Sequence, residues 1–340
     1  MFRIAQRLGC SLLVSAACLA SVAHPAYAET DEIRIVKQYG LAFLPLMVME
    51  KEKLYEKRAA ELGITTKPVY MTLGNNTAVN EALISGNVNV VTNGPPGFLT
   101  VWSKTKGTPS EIKGIASLLS QSSWLNTRNP DVKTIKDFTE KDRIALSAVK
   151  ISIPAIILQM AAAKEWGQSQ YNKLDPLTVS LPHPDGMSAL LSGKTEITAH
   201  FTSPPFQNVE AKSPGIHTVL TSEDVMGGPS TWSILFSTVK FKEENPKTMQ
   251  AFVQALGDAQ KLINEDKGKA ADIYLSVSKE GGAKKEDIVA LLSDPGTIYT
   301  MTPQKMMKYA EFLKTVGSLK VIPATWNEPF FEYVQNLPGD

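Results

Sequence analysis

Residues 82–96 read "ALISGNVNVVTNGPP" and residues 189–205 read "ALLSGKTEITAHFTSPP". In both, an apolar helical end stops at Ser-Gly (Ser85-Gly86, Ser192-Gly193), alternating apolar residues follow, and a Pro-Pro pair opens the next element. What precedes each copy is also alike. "EIRIVKQYG" reads as a strand, "FLPLMVMEKEKLYEKRAAELGI" as a helix stopped at Gly63, and "KPVYMTL" as a second strand before the candidate caps Asn75, Asn76 and Thr77. Later, "DRIALSAV" reads as a strand, "ISIPAIILQMAAAKEWG" as a helix with Pro154 in its first turn and Gly167 past its end, and "PLTVSLP" as a strand. Strands alternating with helices build parallel α/β sheets, so a doubled series predicts two α/β lobes of related design. Chance likeness between common α/β spacings is the rival explanation of so short a match.

The first residues carry Arg3 and Arg7, an apolar run of small residues and Ala26-Tyr27-Ala28 before Glu29, the layout of a signal peptide cleaved after residue 28. A retained anchor would have to hold Gly9, Ser11, Ser15, Ser21, His24 and Pro25 in its span, and Ser15 stands where a lipoprotein signal before Cys18 would want Leu. Cleavage leaves 33 Lys and Arg against 34 Asp and Glu, a net charge of −1 with no basic face for nucleic acid. It also removes Cys10 and Cys18, so the mature chain has no disulfide, thiol nucleophile or thiolate metal site. A periplasmic location fits such a chain, whose length allows a core without covalent staples.

Two stretches join the series: "IKGIASLLSQSSWLNTRNPDVKTIKDF" and "GIHTVLTSEDVMGGPSTWSILFSTVKF", read as crossovers. Their positions divide the mature chain into lobe 1 (29–120), lobe 2 (121–222) and a return to lobe 1 (223–340). "NPKTMQAFVQALGDAQKLINED" is an amphipathic helix with Asn245 as cap, Pro246 first, and Met249, Phe252, Val253, Leu256 and Ile263 on one face. "KKEDIVALLSD" and "TPQKMMKYAEFLKTVG" are further helices, expected to pack on lobe 1.

Catalytic motifs are missing: no G-x-S-x-G, H-E-x-x-H, P-loop or G-x-G-x-x-G. His183, His200 and His217 lie far apart without ligand spacing, and read as ordinary hydrogen-bonding residues. Binding machinery is easier to find. Ligands of open α/β sheets sit beyond the carboxyl ends of strands, near helix N-termini. The loops there are "KQYGLAF", "LGNNTAV", "NGPPG", "SAVKISIP", "HFTSPPF" and "GGPSTW", rich in Gly, Ser, Thr and Asn, with Tyr39, Phe43, Phe201 and Trp232 close by. Singly, each has a structural explanation as turn, cap or core residue; their joint fall at strand ends points to a site.

"IRIVKQYGLAFLPL", "NEALISGNVNVVTNGPP", "DFTEKDRIALSAV" before "ISIP", and "SALLSGKTEITAHFTSPPF" together resemble the periplasmic solute-binding proteins of ABC importers, of the nitrate, sulfonate and taurine type within the NMT1/THI5-like group. The resemblance spans nearly all of the mature chain. It implies a type II fold: two lobes, each a central sheet flanked by helices, on a two-segment hinge. They would close on one small molecule and present it to a membrane permease with its cytoplasmic ATPase. It implies a monomer, no cofactor and no metal.

Carried onto this chain, the resemblance assigns ligand contacts to Gln38, Tyr39, Gly40 and Phe43 after the first strand, to Asn76 and Thr77 at a helix start, and to Gly94 and Pro95. From lobe 2 it assigns Ser147, Lys150, Ser152, His200, Thr202 and Ser203, and from the returning segment Ser230, Thr231 and Trp232. Two departures stand out: "VKISIP" replaces a Gly-Ser-rich helix start, and "TSPPF" lacks the acid that a taurine ammonium would want. Lys150 as anion partner and aromatic walls from Tyr39, Phe43, Phe201 and Trp232 point to an organic sulfonate or carboxylate rather than bare nitrate. The alternatives are a thiamine-precursor pyrimidine as cargo, or a THI5-like pyrimidine synthase. That enzyme carries a cysteine-rich iron motif, and the mature chain has no cysteine.

Overall fold

In a computed structural model of the chain, residues 29–73, 76–278 and 283–340 are described, with the side chains of Asn76 and Thr77 excepted. The expected signal peptide, residues 1–28, and the candidate cap Asn75 lie outside them.

The first sheet grows from β1 (Glu32–Lys37), whose alternating Ile33 and Ile35 are buried. The chain then forms α1 (Leu44–Glu52) and α2 (Leu54–Glu61), broken apart where Lys53 turns left-handed, before β2 (Lys67–Thr72) pairs in parallel with β1. Helix α3 (Asn76–Ile84) leads to β3 (Val91–Asn93), joined to β1 by a parallel bridge between Ile35 and Val90. Helix α4 (Pro95–Thr105) and β4 (Ile112–Gln121) follow.

The second sheet holds β5 (Trp124–Thr127), β6 (Ile144–Leu146), β7 (Thr178–Ser180), β8 (Ala199–Thr202) and β9 (His217–Thr221) in the order β7-β6-β8-β5-β9. Its helices are α5 (Ile153–Trp166), α6 (His183–Ser192) and α7 (Phe206–Ala211). After α8 (Ser222–Met226) the long strand β10 (Ser230–Thr238) returns to the first sheet and lies antiparallel between β3 and β4. The first lobe therefore reads β2-β1-β3-β10-β4. The sheets are topological copies: three parallel strands, then an antiparallel strand, then an edge strand. β3 and β8, the strands of the sequence echo, occupy the same third place, so the echo marks a shared architecture.

The two stretches read as crossovers are largely strand: β4 with β5, and β9 with β10. The passages between sheets are short and tied together, with Ser123 N–H donating to Ser222 Oγ (2.9 Å) and Ser222 N–H donating to the Ser123 carbonyl (2.8 Å).

Helices α9 (Val239–Glu244), α10 (Pro246–Glu265), α11 (Lys267–Val277), α12 (Lys285–Leu292) and α13 (Met306–Thr315) follow, and the chain beyond them returns to β4 through a bridge between Phe330 and Gly114. Met249, Phe252, Leu256 and Ile263 are buried as α10 packs on α1 and α2, while α13 packs on α4. Arg58 on α2 forks onto Asp258 on α10 with two bonds of 2.7 Å. The expected cap of α10 is corrected: Asn245 makes no side-chain cap, and its Oδ1 instead accepts from Thr30 N–H. The first-turn amides of Lys247 and Thr248 donate to Glu29 at 2.7 and 2.9 Å. No helix among the described residues is long and apolar enough to cross a membrane.

Candidate functional site

The parallel strands of both sheets end toward one cleft, where Gln38 and Tyr39 follow β1, Asn93 closes β3, Ser147 follows β6, and α6 opens after β7. There a small cavity of about 30 Å³, room for little more than a water, is lined from lobe 1 by Gln38, Tyr39, Phe43, Asn93, Gly94, Trp232 and Ser233. Lobe 2 supplies Ser147, Ser152, Ile153, Pro154 and His183.

The lobes touch around it. Leu41 N–H donates to the Pro204 carbonyl (3.3 Å), and a Cβ on Gly94 would stand 2.6 Å from Ile153 Cγ1. Three helices begin at the cavity, α4 after Gly94, α5 after Ser152 and α6 at His183, and each has proline in its first turn. Their dipoles favour partial negative charge, while each proline removes an N–H that an anion could use. Ser152 caps α5, accepting from Ala155 N–H at 3.4 Å. Trp232 and Ser233 both reach the wall although adjacent, because the register of β10 against β4 shifts on either side of Ser233. Ser233 is 1% exposed and its Oγ has no protein partner, so this hydroxyl is available to a solute.

Behind the wall runs a buried polar chain. His183 Nδ1 lies 2.9 Å from Thr202 Oγ1 and 3.3 Å from His200 Nε2; His200 Nδ1 lies 2.6 Å from Glu210 Oε1. Asn126 donates to Glu210 Oε2 (2.9 Å) and to the Gln207 carbonyl (3.0 Å), and accepts from the Thr218 hydroxyl at 2.7 Å. Phe206 stacks on the His183 ring, with centroids 5.9 Å apart. Burial, aided by the neighbouring His200, pushes the His183 pKa down to about 3, so the ring is neutral near pH 7.

Of the positions assigned from sequence, the cavity wall gathers Gln38, Tyr39, Phe43, Gly94, Ser147, Ser152 and Trp232. Gly40 sits at positive φ against Pro204, where it lets the lobes meet. The backbone of Asn76 and Thr77 opens α3, and Pro95 opens α4 beside Gly94 without lining the wall. His200 and Thr202 stand one layer back in the polar chain, and Ser203 is buried. Ser230 bonds Tyr309 (3.1 Å), and Thr231 accepts from Gln304 N–H (2.7 Å), so both hydroxyls serve the packing of lobe 1. Lys150 is exposed in a left-handed turn away from the wall, and Phe201 is in the core rather than at the site.

The histidines, far apart in sequence, are hydrogen-bonding residues: His183 and His200 pack together, and His217 lies 2.7 Å from the Val132 carbonyl. Sequence reasoning missed Asn93, Ile153, Pro154, His183 and Ser233. A signal for His183 existed, since the register that pairs Gly86 with Gly193 also pairs Asn76 with His183, and both open their helices. Among the described residues no Lys or Arg lines the cavity, and no cluster of His, Cys, Asp or Glu is placed to hold a metal ion. Lys37, near the mouth of the cleft, is paired with Glu50.

The profile of the NMT1-like family matches residues 41–276. No curated protein matches the chain by sequence. Among solved structures, the chain is similar to the alkanesulfonate-binding protein of Xanthomonas axonopodis pv. citri bound to MOPS. The TM-score is 0.67 at 15% identity, covering 86% of this chain and 96% of that one. It is similar to the periplasmic nitrate-binding protein of Synechocystis PCC 6803, with TM-score 0.66, 17% identity, and 87% and 83% covered. A Candida albicans gene product described as having the generic periplasmic binding protein fold aligns with TM-score 0.67 at 14% identity, covering 92% and 99%. These likenesses show the fold, a two-lobe periplasmic binding protein of type II.

Proposed function

The chain belongs to the NMT1-like family, and from that premise we propose that it is the solute-binding component of an ABC importer, closing its lobes on a small molecule and handing it to a permease. The observation that carries this reading is the cavity walled by helix starts and strand ends of both lobes, since only closure assembles the full wall. We place the protein in the periplasm after signal cleavage, as a monomer, with lobe 1 comprising 29–120 and 223–340 and lobe 2 comprising 121–222.

The wall is aromatic and hydrogen-bonding but uncharged, so the favoured solute is a small, planar, uncharged heterocycle with carbonyl-type acceptors facing the helix starts. An organic sulfonate or carboxylate is the second reading, favoured by the convergence of three helix N-termini. A thermal-shift screen of uncharged heterocycles, sulfonates, carboxylates and nitrate tests both. A solute at 100-fold excess over Kd stabilises by about 2.7 kcal/mol, a plain shift in melting. Compaction in small-angle scattering should accompany it; a bound solute without compaction would refute the clamp.

A further inference from the structure

His183 and His200 face one another through Nδ1 and Nε2 at 3.3 Å, both buried. Two bare imidazole nitrogens at that distance would repel, so one of them carries a proton. Glu210, itself 0% exposed, decides which. Its Oε2 accepts from Asn126, whose amide is pinned by Gln207 and Thr218, and its Oε1 accepts the His200 Nδ1 proton at 2.6 Å. His200 Nε2 is then an acceptor, and the proton between the rings lies on His183 Nδ1, shared with Thr202 Oγ1. The other edge of the His183 ring, Nε2, is left for the occupant of the cavity.

We propose that Glu210, acting through His200, holds His183 as its Nδ1–H tautomer, so that His183 turns a bare Nε2 to the cavity and selects solutes that bring an N–H or O–H donor to it. Glu210 and His200 are positioning residues; His183 is the specificity-determining contact. The selection rests on the solute-binding reading, whereas the tautomer does not. A fully deprotonated anion offers Nε2 no donor and meets a lone pair instead, and the low pKa of His183 prevents the ring from answering with charge.

The test is a long-range 1H–15N spectrum of the full chain labelled at histidine nitrogens. The expected wild-type signature for His183 is a pyridine-type resonance at Nε2 and a pyrrole-type resonance at Nδ1. In Glu210→Gln, Asn126 keeps the amide oxygen at the Oε2 position and turns the NH2 onto His200 Nδ1. The relay then reverses, and the pyridine-type signal of His183 moves to Nδ1. A wild-type signal at Nδ1, a tautomer average, or no change in Glu210→Gln overturns the proposal. Should Glu210→Gln not fold, Thr202→Val decides whether His200 sets the tautomer, because an unchanged His183 signature is expected and a switched one overturns. Uracil and 1,3-dimethyluracil at millimolar excess then probe selection. Uracil should shift the Nε2 resonance and its dimethyl form should not, and equal or reversed responses overturn it. Silence from both counts against the uncharged-solute reading and leaves the tautomer decided by the wild-type spectrum.

Discussion

Replacing Gly94 by alanine adds one methyl group where lobe 1 meets lobe 2. Its Cβ would lie 2.6 Å from Ile153 Cγ1 and 2.9 Å from Cδ1. Carbon atoms settle at about 3.5–4.0 Å, so the nearer pair is short by roughly 1 Å. Gly94 has φ −66° and ψ 157°, which alanine adopts freely, so the backbone bears no cost and the penalty falls on the contact between lobes. Ile153 is buried, begins α5 and precedes Pro154, which leaves it little room to swing away. Overpacking of this kind costs about 1–3 kcal/mol, paid only when the lobes close, so solute affinity should fall about 5- to 150-fold. Calorimetric titration of Gly94→Ala with a solute identified by the screen reads this directly, and scattering should show weakened compaction. Ile153→Ala removes both offending atoms, so the double variant should recover much of the loss, a coupling that a double-mutant cycle isolates. Wild-type affinity and compaction in Gly94→Ala would refute the view that this contact belongs to the closed clamp.

Acidification should destabilise the protein through His183. Its folded pKa of about 3 lies below the unfolded value near 6.5, so the unfolded chain binds the extra proton and stability falls as pH drops through that window, by about 2 kcal/mol at pH 5. Urea unfolding at pH 7.5 and 5 should show this loss, and His183→Gln should flatten it; an equal slope in the variant would refute the assignment. Glu29→Ala, which strips the first turn of α10 of its acceptors, should cost about 1 kcal/mol by calorimetry, and an unchanged melting temperature would show the cap to be idle. Gly186→Ala sits inside α6, where alanine ordinarily gains about 1 kcal/mol over glycine. Here its Cβ would lie 2.6 Å from His200 Nε2, so the net effect should be a loss of about 1–3 kcal/mol, and a raised melting temperature would sink the packing argument.

Much of the architecture is written locally. Hydrophobic alternation marks β1 and the approach to β3, a short apolar run marks β6, the Ser-Gly stops end α3 and α6, and proline sits in the first turns of α4, α5 and α10. Because these signals depend on near neighbours, the doubled series and the loops at its strand ends are legible from residue order. The cap of α10 is not, since Glu29 reaches Lys247 only after the chain has folded back on itself.

The sequence by itself determined two α/β lobes, and which loops cluster at their strand ends. Tertiary structure alone decided which side chains of those loops face the cavity. A one-residue change of register turns a side chain to the other face, so the shift in β10 brought Ser233 to the wall beside Trp232 and left Thr231 in the packing of lobe 1. Packing of α6 and α7 against β8 within the second sheet's lobe likewise joined His183 on α6 to His200 on β8 and Glu210 on α7, three residues whose spacing carries no periodic signal. Their meeting follows from the packing of α6 over the sheet at Gly186, where the missing side chain leaves room for the His200 ring.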